Sequence, residues 1–141
     1  MNAIVLEPAL YRLERVREVV GYVKAHWPEI AVVAPVKPGM DATELLLAGV
    51  DAVQVSSDAG SISAIHTASI DSRSMPVVAE LSSPQPGDVT KAIVAGASSV
   101  MLRHADPVLE GLRTAMARIG AGSISELQST IQLMRVTSPS I

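Results

Sequence analysis

Residues 87–102 read GDVTKAIVAGASSVML, and this stretch decides the fold. Its first part carries apolar residues at helical spacing and stops at Gly96, a residue type that often closes a helix. Its second part, residues 99–102, is a short apolar run typical of a buried strand. The stretch therefore predicts a helix over residues 87–95 that leads directly into a β-strand.

The same alternation fills the rest of the chain. Apolar runs predict strands at residues 3–6, 30–34, 52–55, 77–80 and 99–102. Helical spacing predicts helices over residues 11–27, 40–48, 87–95, 107–119 and 123–134, with a shorter one marked by Ile62, Ile65, Ser69 and Ile70. Gly49 is placed to close the second helix, and Ser123 with Glu126 predicts a capping box at the last one. The alternation is typical of βα units around a parallel sheet.

The composition is aliphatic, mildly acidic and free of cysteine. The chain has 141 residues, of which 48% are hydrophobic and none is Phe, and its net charge is −3. These values predict one domain over residues 1–136 with a flexible tail at 137–141. They exclude a basic surface for nucleic acid, and the lack of cysteine excludes disulfides, thiolate metal sites and a cysteine nucleophile. No apolar run reaches the roughly 18 residues of a membrane span, so a cytoplasmic protein without membrane or nucleic-acid partners is expected.

Five parallel strands in chain order predict an incomplete barrel. The fold class is α/β, a partial TIM-type (β/α) barrel of about five parallel strands with flanking helices and two C-terminal helices. A complete eight-fold barrel needs about 250 residues. The predicted sheet therefore has two open edges, and exposed edges favour pairing with another chain. A homo-oligomer or a partner chain at these edges is the expectation.

Several stretches resemble segments of the IMP dehydrogenase/GMP reductase family, and they follow one another along the chain as they do in that family. Residues 87–102 are similar to the family's GDIAKALAAGADAVMLGS, which is the strongest match. Further matches are residues 48–55 (AGVDAVQV), 111–116 (GLRTAM), 120–121, 124–127 (ISEL) and 135–138 (RVTS). The resemblance implies the C-terminal part of a catalytic (β/α)8 barrel that acts on purine nucleotides with NAD or NADP.

The motifs that do the family's chemistry are altered. The family's GSIC loop, whose cysteine attacks the purine, is matched by residues 60–63 (GSIS), with Ser63 at the nucleophile position. Ser63 could instead belong to the following helix, and the loop would then be deleted. The pocket motif GGN is matched by residues 33–35 (VAP), the ribose and phosphate motif ADGG by residues 79–82 (AELS), and the catalytic flap has no counterpart. The resemblance thus implies a retained scaffold with no catalytic residue and no bound cofactor.

Polar residues are expected at the carboxyl ends of the predicted strands. They could form a ligand pocket, or they could be ordinary loop residues that meet water. Glu80 could accept hydrogen bonds from a ribose, and Arg103 with His104 could clamp a phosphate. Lys37 is either a reactive amine or, far more simply, a surface lysine between prolines. His26 and His66 are expected to lie too far apart to share a metal. The candidate ligand-binding residues are Glu7, Lys37, Ser61, Glu80, Ser82, Arg103 and His104.

Two functions remain open at this point. The first is a catalytically inactive relative that acts by self-association or partner binding, with residual affinity for a purine nucleotide. The second is an enzyme or binding protein with a rebuilt strand-end site for a small phosphorylated or acidic metabolite. In that second case Glu80 would be the acid or base and Arg103 the anion clamp. Fold alone does not decide between them, because barrels host many chemistries.

Overall fold

Strands and helices alternate along the chain as predicted. The computed structural model describes residues 2–7, 12–37, 42–56, 61–71, 75–103 and 106–132. The strands are β1 (Ala3–Val5), β2 (Ala31–Pro35), β3 (Ala52–Ser56), β4 (Val77–Leu81) and β5 (Ser99–Leu102). The helices are α1 (Leu13–His26), α2 (Ala42–Ala48), α3 (Ser61–Asp71), α4 (Asp88–Val94), α5 (Asp106–Ile119) and α6 (Ile124–Thr130). No helix within these ranges is long and apolar enough to cross a membrane.

The five strands form one parallel sheet in the order β1-β2-β3-β4-β5. Each strand pairs in parallel with the next one along the chain, and a helix connects each pair. Such crossovers are almost always right-handed, so the four connecting helices lie on the same face of the sheet. The predicted half-barrel is confirmed.

Two of the predicted helices were too long. The first was predicted from Tyr11, but Arg12 has an extended backbone (φ −123°, ψ 138°) and α1 begins at Leu13. The last was predicted to run from residue 123 to residue 134. Instead α6 ends at Thr130, because Ile131 returns to an extended backbone (φ −103°, ψ 132°). The predicted tail at 137–141 lies outside the described residues.

The register of the strands gives the sheet two different faces, because successive side chains alternate in direction. One face packs against the helices and forms the core, with Val32, Val53, Val77, Ala79 and Leu81 buried there. The side chains of Val5, Val33, Gln54, Glu80 and Met101 point to the other face. Toward its rims this second face is open, and Val5 is 45% and Met101 41% exposed.

The last two helices extend the helical layer and leave the second face open. Gln128 on α6 donates hydrogen bonds to the carbonyl oxygens of Ile93 (2.9 Å) and Ala97 (3.2 Å), which fixes α6 against the end of α4. Val108 on α5 and Leu127 on α6 are buried in the same core as the first face. Within the described ranges, the second face is exposed along its rims, whereas Val33, Pro35 and Gln54 at its centre are buried. We call this surface the open face.

The capping residues that the sequence predicted lie at the ends of the helices. Gly49 (φ 90°) and Gly96 (φ 117°) have left-handed backbones just after α2 and α4. Ser123 accepts a hydrogen bond from the backbone N–H of Glu126 at 3.1 Å. The Glu126 carboxylate in turn accepts the N–H of Gly122 at 2.6 Å, one residue before the position expected for a capping box. Two backbone donors near the start of α6 are thus satisfied.

An ion pair joins α1 to the sheet. Lys24 donates to Asp51 (2.6 Å) and to the carbonyl oxygen of Ile30 (2.9 Å), and Asp51 also accepts the N–H of Val32 (2.7 Å). Burial acts to raise the pKa of Asp51, but the hydrogen bonds from Lys24 and Val32 and the charge of Lys24 outweigh it and lower the pKa. Asp51, which lies in the AGVDAV stretch, therefore holds the start of β2 and the end of α1 together.

Replacing Asp51 is expected to destabilise the protein in a pH-dependent way. At pH 7, Asp51→Asn should lower the free energy of unfolding by about 1 kcal/mol, because the pair is partly exposed and screened by water. A carboxylate with a lowered folded pKa stabilises the fold above its unfolded pKa and loses that effect as the pH falls, below about pH 4 here. Urea unfolding at pH 7 and pH 3 measures the difference. The exposed Glu29→Gln is the control, and a difference unchanged at pH 3 would contradict the assignment.

Candidate functional site

The carboxyl ends of the strands bring most of the candidate residues to one edge of the sheet. Glu7 follows β1, Lys37 follows β2, Ser82 follows β4 and Arg103 follows β5. Glu7, Ser82 and Arg103 are exposed, and Lys37 is partly buried. His104 lies outside the described residues. The four described residues share one end of the half-barrel, which is where barrel enzymes place their sites.

Three polar side chains of β3 and β4 meet on the open face. The side-chain amide of Gln54 donates to the Glu80 carboxylate at 2.6 Å, and the Ser56 hydroxyl donates to the same oxygen, Oε2, at 3.3 Å. The register that pairs Ser56 with Glu80 puts these groups side by side. Among the sequence-predicted residues, Glu80 therefore takes part in a polar cluster with its neighbours. We call Gln54, Ser56 and Glu80 the strand-end cluster.

Gln54 is a member of this cluster that the sequence did not mark as a candidate. Its side chain is only 8% exposed, and its carbonyl oxygen Oε1 is buried without a hydrogen-bond partner in the described part of the chain. A buried acceptor without a partner is costly, by about 1–3 kcal/mol. One signal was available, because Gln54 interrupts the otherwise apolar strand Ala52–Ser56.

The cluster offers acceptors rather than a nucleophile. Both observed donors use Oε2 of Glu80, which leaves its Oε1 as an acceptor for a hydroxyl or amide ligand, whereas the amide oxygen of Gln54 is buried. Such an acceptor suits a neutral or hydroxylated group. A carboxylate at this position repels phosphate, so an anion would need the positive charge of Arg103 on the neighbouring strand end.

The two serines of the GSIS stretch, Ser61 and Ser63, belong to a helix. Ser61 is the first residue of α3, and Ser63 lies in the same first turn. Ser63 therefore belongs to the helix, which is the second of the two possibilities that the sequence left open. A serine hydroxyl is a weak nucleophile unless a positioned base activates it.

His26 and His66 make contacts with helix residues. The ring of His26 stacks on Tyr22 with a centroid distance of 4.2 Å, and its Nδ1 lies 2.9 Å from the Tyr22 carbonyl oxygen. The Nδ1 of His66 lies 3.3 Å from the carbonyl oxygen of Ala95, at the end of α4. Across the described ranges, no group of three His, Cys, Asp or Glu residues could hold a metal ion.

Comparison with known proteins finds one relative by sequence and many by structure. No protein-family model matches the chain. An inosine-5′-monophosphate dehydrogenase of Aquifex aeolicus is 34% identical over 72% of this chain and 24% of the relative. The crystal structure of GMP reductase from Trypanosoma brucei in complex with guanosine 5′-triphosphate matches with a TM-score of 0.72. That match has 21% identity and covers 97% of this chain and 41% of the other.

These matches agree with the resemblance found in the sequence. The chain spans about a quarter of the dehydrogenase and less than half of the reductase. The structural match shows the fold, and the sequence match connects it to one family within that fold. Together they support the assignment of this chain as a partial barrel of the IMP dehydrogenase/GMP reductase family.

Proposed function

We propose that this protein is a catalytically inactive member of its family that acts by self-association through the open edges and open face of its sheet. The observation that carries the proposal is the exposure of apolar side chains on β1 and β5, the two strands that pair on one side only within the described ranges. A parallel sheet is normally covered on both faces, because its strands are apolar on both. A second copy would supply the missing cover.

The altered chemistry of the strand ends supports inactivity. The chain has no cysteine to attack a purine, and Ser63 lies in α3. Val33 and Pro35, which stand where the family motif GGN has its first glycine and its asparagine, point to the second face of the sheet, and both side chains are buried. Glu80 is engaged with Gln54 and Ser56. These changes remove the nucleophile and fill space near the nucleotide, while the core behind them is intact.

Edge strands make self-association the physical expectation. The unpaired edges of β1 and β5 present backbone donors and acceptors. The flanking apolar side chains favour association of these edges with another chain. A symmetric contact between two copies is the commonest way to cover such a surface. Covering Val5 and Met101 in both copies also removes apolar area from water, worth about 25 cal/mol per Å².

Light scattering on the purified chain tests the proposal. We expect a mass near twice the 14.7 kDa of one chain at micromolar concentration. Val5→Lys or Met101→Lys should return it to a monomer without unfolding. Val100 is a poor probe, since its side chain points toward the helices and Val100→Lys would damage the core.

Leu47→Lys, on the exposed surface of α2, is the matched control and should leave the mass unchanged. A mass that equals one chain at every dilution would refute self-association. The same preparation should show no NAD-dependent oxidation of IMP and no NADPH-dependent reduction of GMP. Turnover that survives repurification would refute inactivity.

The strand-end cluster favours a second candidate function, the binding of a small hydroxylated metabolite or residual binding of a purine nucleotide. The supporting observation is the Glu80 carboxylate, whose Oε1 accepts neither of the two observed hydrogen bonds, on the strand next to the one that Arg103 follows. If a ribose binds there, GMP at ten times its dissociation constant should raise the melting temperature by about 3–6 °C. Glu80→Gln should remove the shift, and the exposed Glu44→Gln should keep it. Equal shifts in both variants would exclude the cluster.

A further inference from the structure

A cavity lies in the helical layer between α4 and α5, on the opposite side of the sheet from the strand-end cluster. Its volume is about 660 Å³, within the range of small-molecule sites. It follows the seam of the two helices, from Pro86 and Gly111 at one end to Ile119 and Ile131 at the other. It is distinct from every residue discussed above as a ligand contact.

Small residues on α5 create the space. Gly111 approaches the loop before α4 so closely that a Cβ atom there would lie 2.3 Å from the carbonyl oxygen of Pro86. This contact fixes the two elements at one end of the seam. One turn later Ala115 offers only a methyl group, and Val94 and Ile119 form the apolar walls. The core-facing side chains of α4, Val89 and Ile93, point away from the seam and are buried.

The charge of the cavity is opposite to that of the whole chain. Lys91 and Arg118 line it, and among the described residues no acidic one does, although the net charge of the protein is −3. Lys91 has a long contact to Asp88 (3.6 Å), and Arg118 forms no ion pair with the described part of the chain. Two cations beside apolar walls complement a molecule with an apolar body and one negative group.

We propose that this cavity binds a single amphiphilic organic anion, with its apolar chain between α4 and α5 and its carboxylate on Arg118 and Lys91. A nucleotide does not fit this chemistry as well, because the part of the chain that the structure describes puts no aromatic side chain into the cavity to stack on a base. The site does not depend on self-association or on the strand-end cluster.

Calorimetric titration of the whole chain with dodecanoate, kept below its micelle concentration, tests the proposal. We expect one saturable site per chain, with Arg118→Glu weakening binding about tenfold or more. Arg113→Glu is the matched control on the same helix, since Arg113 is exposed and outside the cavity, and it should change binding by less than about twofold. Ala115→Trp should fill the cavity and abolish binding while the melting temperature shows that it folds.

Four results would overturn the proposal. The first two are the absence of saturable dodecanoate binding and an equal loss of affinity in Arg113→Glu and Arg118→Glu. The third is binding of dodecyltrimethylammonium as tight as that of dodecanoate. The fourth is loss of dodecanoate binding in Met101→Lys but not in Arg118→Glu. The last would place the apolar ligand on the open face. Pelleting with phosphatidylglycerol vesicles should leave the protein in the supernatant, whereas co-sedimentation that needs Arg118 would replace a free ligand by a membrane surface.

Discussion

Ile65→Ala is expected to lower the free energy of unfolding by about 2–5 kcal/mol. Ile65 lies in the middle of α3, is fully buried and contacts the core between the helices and the sheet. Truncation removes its apolar contacts and leaves a cavity that a rigid core fills only partly. Since a domain of this size has about 5–15 kcal/mol of stability, the change is a large fraction of the total.

Ile70→Ala on the same helix provides the control for this prediction. Ile70 is 60% exposed, so its truncation should change the free energy of unfolding by less than about 0.5 kcal/mol. Chemical unfolding monitored by circular dichroism measures both variants. Similar small losses in the two variants would mean that α3 does not pack on the sheet through Ile65.

Gly96→Ala should cost about 2–5 kcal/mol, more than most glycine replacements. Gly96 has φ 117°, and a Cβ atom there would lie 2.4 Å from Oγ and 2.6 Å from Cβ of Ser69 on α3. The left-handed backbone accounts for about 1–2 kcal/mol, and the displacement of Ser69 for about 1–3 kcal/mol. Ser69 also donates to the carbonyl oxygens of His66 (2.8 Å) and Ala95 (3.3 Å), so moving it disturbs both bonds.

Gly120→Ala separates the two contributions. Gly120 also has a left-handed backbone (φ 78°), but nothing lies within 4 Å of a Cβ atom built there. Its replacement should cost only about 1 kcal/mol, the backbone part alone. Thermal unfolding of the two variants gives the comparison. Equal destabilisation would show that the contact with Ser69 does not matter.

The fold could be predicted from the sequence because the signals that specify it are local. Short runs of Val, Ile and Ala marked every strand to within one residue at each end, and Gly49 and Gly96 marked the ends of α2 and α4. The helix ends that failed, at Arg12 and Ile131, depend on backbone angles that side-chain spacing does not specify.

The candidate site could be predicted only in part. The carboxyl end of the sheet follows from strand direction, so the positions of Glu7, Lys37, Ser82 and Arg103 were within reach of the sequence. The contact between Gln54 and Glu80 joins residues 26 positions apart and depends on the register of β3 against β4. A shift of one residue would turn Gln54 to the other face, and nothing local to Gln54 fixes that register.

The order of the strands also determines where further structural elements could be added to the fold. Each strand and helix packs on elements that are near it along the chain, from β1 against β2 to α6 against α4. Such a connectivity makes the protein a linear array of modules, in which the stability of each module depends mainly on its neighbours. Another βα module could be added beside β1 or β5 without changing the contacts of the central strands. The half-barrel is therefore an extendable series whose length can change while its interior packing stays the same.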